Sequence, residues 1–343
     1  MTGLAVAERR RLLVIFNPTP GPRARRRLNA ALRELGALGA QVTLRETRAP
    51  GDAEIFASEA SLAEFDAVVA VGGDGTVNEV VNGLRDPALP VIVFPFGTAN
   101  VLAHEIALPR DPALLATLAM QGPIREIPLG EAEFAGEPPR RRRFVLMAGT
   151  GFDADVVDAL DLELKRRVGR LAFVWSILKR LWRYHPTRYE VALEEGHGWT
   201  EAIAASAVAT RARHYAGRFV LAPEARLAEP SFRIVRFGRW GRWAALRYLV
   251  ALAGSFLHRL PDVAITETAA ARISGPEGSP VQIDGDVLGR LPVTLRIADR
   301  RLRLIYPGTR PTLRVAARAV PREADAPAEK PRKSASLRRI TNM

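Results

Sequence analysis

Cysteine is absent from all 343 residues of this chain, which excludes disulfide bonds and thiolate chemistry and suits a reducing, cytoplasmic setting. No secretory leader is expected either. Met1 to Ala7 is short and weakly apolar, and the arginines Arg9, Arg10 and Arg11 lie on the wrong side of it. Segments 164–184 and 236–259, rich in aromatic and aliphatic residues, are broken by Arg and Lys, so neither reaches the roughly 20 uncharged residues of a membrane span. No nucleic-acid motif accompanies the basic charge, so nucleic acid is not an expected partner.

Acidic residues are outnumbered, 37 against 50 Lys and Arg, for a net charge of +13. That excess implies an anionic partner. Segments 164–184 and 236–259 are helical in period and interleave Arg or Lys with Trp and Leu, the composition of helices that lie among lipid headgroups. An ordinary amphipathic helix with its aromatic face in the core has the same pattern. Arg140 to Arg143, between a Gly-Glu-Pro-Pro turn and an apolar run, reads as a solvated hairpin edge. The placement of charge favours peripheral association with the inner, anionic face of the cell membrane. Nothing in the sequence specifies an oligomeric state.

The chain's most specific stretch runs from Val68 to Glu79, where an apolar strand enters a glycine-rich acidic turn that opens a helix. Gly72, Gly73 and Gly75 let backbone N–H groups approach a polyphosphate, and the helix N-terminus adds partial positive charge. Asp74 would repel bare phosphate, so it suggests an intervening Mg2+. A tight turn capped by Thr76 is the plain alternative. About twenty residues later a second apolar strand, Val91 to Phe94, ends in Pro95-Phe96-Gly97-Thr98-Ala99-Asn100, which puts both turns at the carboxyl edge of one parallel sheet, where α/β folds bind ligands.

With these two motifs, Phe16 to Gly21 after the first strand, Thr47 after the second, Gly149 to Ala154 and Asp284-Gly285-Asp286, the chain resembles the diacylglycerol kinase, sphingosine kinase and ceramide kinase superfamily in its bacterial form, from about residue 10 to about residue 308. The resemblance implies an N-terminal α/β nucleotide domain with a parallel sheet and a mostly antiparallel C-terminal β-sandwich. It implies an ATP- and Mg2+-dependent kinase acting on a lipid hydroxyl. The expected domains are 8–132, 133–308 and a disordered basic tail, 318–343. A soluble NAD-kinase-like enzyme and a nucleotide-binding membrane regulator are the alternatives.

Gly72, Gly73, Asp74, Gly75, Thr76, Val77, Asn78 and Glu79 are the expected phosphate cradle. By resemblance Asn17, Pro18, Thr19, Pro20, Gly21, Thr47, Thr98 and Asn100 complete the nucleotide site. Pro20 and Pro22 stand where small or basic residues are usual, and Arg23 or Arg25 is the replacement charge. Asp284 and Asp286 are the candidates for the base. From the residues alone a hairpin turn is the better reading of Asp-Gly, and the family resemblance reverses it in favour of the catalytic one. Asp153 and Asp155 are expected either to shape the cleft or to sit as acids at a helix start. Val101 and Pro128 replace carboxylates of the family pattern, leaving Asp74 more of the metal's charge. At a structural metal turn the resemblance leaves the Glu229 carboxylate and the carbonyls of Arg226 and Ser231 as ligands.

Overall fold

The computed structural model describes residues 8–158, 187–196 and 198–307. The basic aromatic segment 164–184 and the tail 318–343 lie outside the described residues.

Four parallel strands start the chain: β1 (Arg11–Phe16), β2 (Gln41–Glu46), β3 (Ala67–Gly72) and β4 (Val91–Pro95), in the spatial order β2-β1-β3-β4. β3 and β4 are buried throughout, as their unbroken Val and Ile runs require of strands covered on both faces, whereas β2, at the edge, alternates polar and apolar residues. Helices α1 (Pro22–Ala37), α2 (Asp52–Ser58), α3 (Asp74–Gly83), α4 (Val101–Glu105) and α5 (Pro112–Gln121) make the connections. Pro112 at the start of α5 and the Asp111 carboxylate, which accepts from the Ala113 and Leu114 N–H groups, set that helix's N-terminus.

From β5 (Ile124–Phe134) onward the chain is mainly antiparallel: β6 (Arg140–Phe144), β7 (Met147–Thr150), helix α6 (Phe152–Asp158), β8 (Tyr189–Glu195), β9 (Gly198–Ala204), β10 (Ser206–Thr210), the short pair β11 (His214–Tyr215) and β12 (Phe219–Val220), β13 (Phe232–Phe237), helix α7 (Arg242–Ala253), β14 (Val263–Thr268), β15 (Ala270–Ser274), β16 (Pro280–Ile283), β17 (Asp286–Arg290) and β18 (Val293–Ile305). One antiparallel sheet has the order β14-β13-β10-β7-β16-β17. The parallel strands continue through β18, β15, β8 and β9, with β5 on β18 and β6 on β5. Residues two apart, such as Val191 and Leu193, Ala271 and Ile273, Phe232 and Ile234, and Val281 and Ile283, meet in one core between the two sheets. That is the period of a β-sandwich.

Strands β1 and β2 match the sequence expectation to the residue, and Arg140 to Arg143 do form a hairpin strand. The helix expected over 236–259 is shorter: Phe237 closes β13, and Gly241 and Gly254 bound α7. β5, β15 and β17 carry too many charges or too little periodicity to be read as strands from the sequence, and pairing with neighbours settles them.

Candidate active site

The two glycine turns are packed on each other. The N–H groups of Phe96 and Gly97 both donate to the Gly72 carbonyl, at 3.0 and 2.9 Å. A side chain at Gly97 would strike the backbone of Gly73, and one at Gly72 would strike Thr76. Gly73 precedes α3 and, lacking a side chain, supplies no cap to the first N–H groups of that helix. Asn17, anchored by its N–H on Val71 O at 2.9 Å, donates its amide to Thr76 Oγ1 at 3.1 Å and accepts from Thr19 N at 2.9 Å. Pro18 O accepts from Gly21 N, closing the turn through Thr19 and Pro20, and Gly21 adopts φ 88°. Thr47 is buried with its N–H on Phe16 O, and Thr98 is exposed on the second turn. Asn100, left-handed at φ 48°, donates to Pro95 O and Gly97 O. Its Oδ1 is buried with no partner among the described residues. Arg25 is committed to a two-point pair with Glu46, so exposed Arg23 is the candidate left for the missing loop charge.

Asp74 turns its carboxylate to the start of α4, accepting from Val101 N at 2.9 Å and Leu102 N at 3.1 Å. Burial pushes its pKa up to about 6, and the nearby charges of Asp284 and Asp286 add to the rise. Val77 is core, and Glu79 accepts from Ala53 N at 3.2 Å, bracing α3 on α2. Asn78 faces the second half of the molecule, where its amide donates to Arg143 O and to Asp284 Oδ2, both at 2.9 Å.

Alternation along β16 sends Val281 and Ile283 into the core and Gln282 and Asp284 to the opposite face. Asp284, at φ 49°, is buried, accepts the N–H groups of Val145, Leu146 and Met147 at 2.8–2.9 Å, and is raised in pKa by that burial. Asp286 differs: it is exposed, and its Oδ2 lies close enough to Gly75 to clash with a Cβ there. The two carboxylates of the turn are thus brought to one site but in different states. Gln282, to which sequence reasoning assigned no role, links them to Asp153: its Nε2 donates to Asp153 at 2.9 Å and its Oε1 accepts from Gly285 N at 2.9 Å.

Asp153 also accepts from the Tyr215 hydroxyl, and burial pushes its pKa up to about 7. It lies on the wall of a cavity of about 280 Å³ otherwise lined mainly by apolar residues, among them Val208, Leu221, Leu249 and Leu252.

At the turn after Ala225, where a structural metal is expected, the Glu229 carboxylate and the Arg226 carbonyl are engaged by protein groups. Glu229 faces two guanidinium groups, Arg226 at 3.7 Å and Arg233 at 3.6 Å, the Arg226 carbonyl accepts from Glu229 N, and the Ser231 hydroxyl donates to Glu267. The carbonyls of Leu227 and Glu229 are taken by Arg211, a residue that sequence reasoning did not single out. Among the described residues no three carboxylate or imidazole side chains converge on a point.

Residues 11–132 match the family model of the diacylglycerol kinase catalytic domain, and residues 147–306 match that of the YegS C-terminal NAD kinase beta sandwich-like domain. The chain is 28% identical over 305 residues to a diacylglycerol kinase of Bacillus subtilis (strain 168), covering 87% of this chain and 97% of that protein. It is 28% identical over 289 residues to a diacylglycerol kinase of Staphylococcus carnosus (strain TM300), covering 83% and 91%. A crystal structure from Bacillus anthracis str. Sterne shares the fold with a TM-score of 0.71 at 19% identity, over 89% of this chain and 98% of that one.

Proposed function

Because the chain belongs to the diacylglycerol kinase superfamily of lipid kinases, we propose that it transfers the γ-phosphoryl group of ATP to the hydroxyl of a diacylglycerol-like lipid at an anionic membrane surface. The observation that carries this reading is the exposed Asp286 carboxylate over Gly75 of the glycine turn. A carboxylate there supports the reading, since it would serve as a base if a terminal phosphate lay at the glycine turn. The uncapped start of α3 and the packed glycine turns suit a polyphosphate, which would meet N–H groups rather than side chains.

Asp286 would take the proton of the attacking hydroxyl. Asp284, saturated by backbone donors and Asn78, would hold the turn rather than react. Mg2+, when it arrives with the nucleotide, supplies neutralisation of phosphate charge; Asp74, whose carboxylate also accepts from Val101 N and Leu102 N, is the protein group that would hold it. The proposed domain division, 8–132 and 133–308, puts the donor on one side of the cleft and the acceptor on the other. The apolar cavity beside Asp153 suits an acyl chain, with Gln282 connecting it to the Asp286 turn.

Support for membrane association comes from the outer face of α7 and its flanks. Trp243 is 72% exposed, Val250 58%, and Trp240 and Phe256 also face outward, beside Arg239 and Arg242. Among the described residues no helix is long and apolar enough to cross a membrane.

The test is a kinase assay with labelled ATP, Mg2+ and mixed micelles presenting diacylglycerol, ceramide, sphingosine and monoacylglycerol separately, with NAD as a soluble acceptor. Transfer to diacylglycerol is the expected result. Transfer to NAD alone would replace the reading with a soluble-substrate kinase.

A further inference from the structure

Arg211 is among the largest fully buried side chains of the molecule, at 0% exposure. Its guanidinium donates to four carbonyl oxygens: Pro128 and Val145 through Nη1, and Leu227 and Glu229 through Nη2. These oxygens come from three separate segments: β5, the β6–β7 turn and the turn after Ala225. No carboxylate lies within ion-pair distance of it among the described residues. Burying a cation among neutral carbonyls is costly unless the cation organises them. A shell of convergent carbonyls is otherwise the chemistry of a bound hard metal ion.

The segment from Val145 to Met147 shows what is organised. Two of its carbonyls turn to Arg211: Val145 O accepts from Nη1 at 3.4 Å, and Leu146 O accepts from the Arg211 backbone N–H at 2.8 Å. Its three N–H groups face the other way, onto the Asp284 carboxylate, while Met147 O accepts from Asp284 N at 2.9 Å. The Val145–Leu146 peptide thus has a cation at its carbonyl and an anion at its N–H, which polarise it in the same sense. Asp284 in turn begins the tight turn that presents Asp286.

We propose that Arg211 is the resident cation of this enzyme: its guanidinium does the work of a structural metal at the turn after Ala225 and, through residues 145–147, positions Asp284 and the Asp286 turn. The part that concerns turnover rests on the kinase reading; the part that concerns metal does not. A single positive charge needs less compensation than a dication, in keeping with apolar Pro128 and with a Glu229 paired to arginines. The protein's fold therefore needs no structural divalent cation, whereas the magnesium that travels with ATP is a separate requirement.

The experiment has two arms on the full chain. First, nucleotide-free protein purified in magnesium is desalted, and its metal content and thermal midpoint are measured with and without EDTA. Substoichiometric metal and a midpoint unmoved by EDTA are expected. One retained equivalent, or a drop on chelation reversed by Mg2+, overturns the proposal. Second, R211K and R211M are compared for kcat, KM for ATP and stability. R211M should lose turnover roughly tenfold or more, the scale of a misplaced reacting group, with KM for ATP close to that of wild type, and added guanidinium, but not equal NaCl, should restore part of it. R211K, which keeps the charge but loses the fork, should lie between. Wild-type turnover in R211M overturns the positioning role. If R211M does not fold, an R211K variant with unchanged kcat does the same. A wild type inactive on every acceptor would remove the kinase reading, and the metal arm would then decide the structural role of Arg211.

Discussion

Asn78 Nδ2 donates to Asp284 Oδ2 at 2.9 Å across 206 positions of sequence, joining the helix behind the glycine turn to the carboxylate that holds the Asp286 turn. With three backbone donors the Asp284 carboxylate has four buried partners. Asp284→Ala would orphan them, at a cost of about 1–3 kcal/mol for a buried donor left unsatisfied, so a loss of roughly 3 kcal/mol or more is expected in urea unfolding. Asp286→Ala, at an exposed position, should stay within about 0.5 kcal/mol of wild type and lose turnover by about 100-fold or more. Equal stability losses in the two variants would contradict this division of roles.

Gly75→Ala tests the placement of Asp286 from the opposite side. The added methyl meets only Asp286 Oδ2 and Cγ, and alanine favours a helical backbone by up to about 1 kcal/mol over glycine. Stability should hold or rise while transfer falls about 100-fold, the scale of a small misplacement of a reacting group. An active Gly75→Ala enzyme would mean that Asp286 works elsewhere.

Asp74 should give turnover an acidic limb. With its pKa pushed up to about 6 by burial, the carboxylate is ionised above that pH and takes up a proton below it. A pH–rate profile at saturating ATP should fall below about pH 6. Asp74→Asn should abolish transfer with an unchanged circular dichroism spectrum; retained transfer would leave Asp74 as the cap of α4 and nothing more.

Asp153 should weaken the fold as pH rises. Its native pKa, about 7 against an ordinary 3.8, means that the folded state binds more protons between those limits. Stability therefore declines through that window and levels off above about pH 7. Asp153→Asn removes this dependence, so the variant should gain on wild type in thermal midpoint as pH is raised from about 5 to about 8. Parallel profiles would show that Asp153 titrates normally.

Trp243 is the most exposed large hydrophobic residue among those described. Trp243→Ala should weaken sedimentation with vesicles containing anionic lipid several-fold at low salt, with the thermal midpoint unchanged. Equal binding by the variant would direct attention away from α7.

The α/β half was legible in the sequence because each central strand is an unbroken apolar run ending at a glycine or asparagine turn, as in β3 and β4. The strand-to-helix turn from Gly72 to Glu79, a short contiguous segment, was legible for the same reason. Which of Asp284 and Asp286 is buried was not, since two carboxylates around one glycine are equivalent until β7 and α3 pack against the first. Arg211 was illegible altogether: an arginine between Thr210 and Ala212 reads as surface, and only the convergence of carbonyls from residues 128, 145, 227 and 229 makes it interior. Local sequence determined the loops and the family, because loop geometry depends on adjacent residues. Tertiary structure decided the state of each charge, because desolvation and hydrogen bonding come from partners far away in the chain.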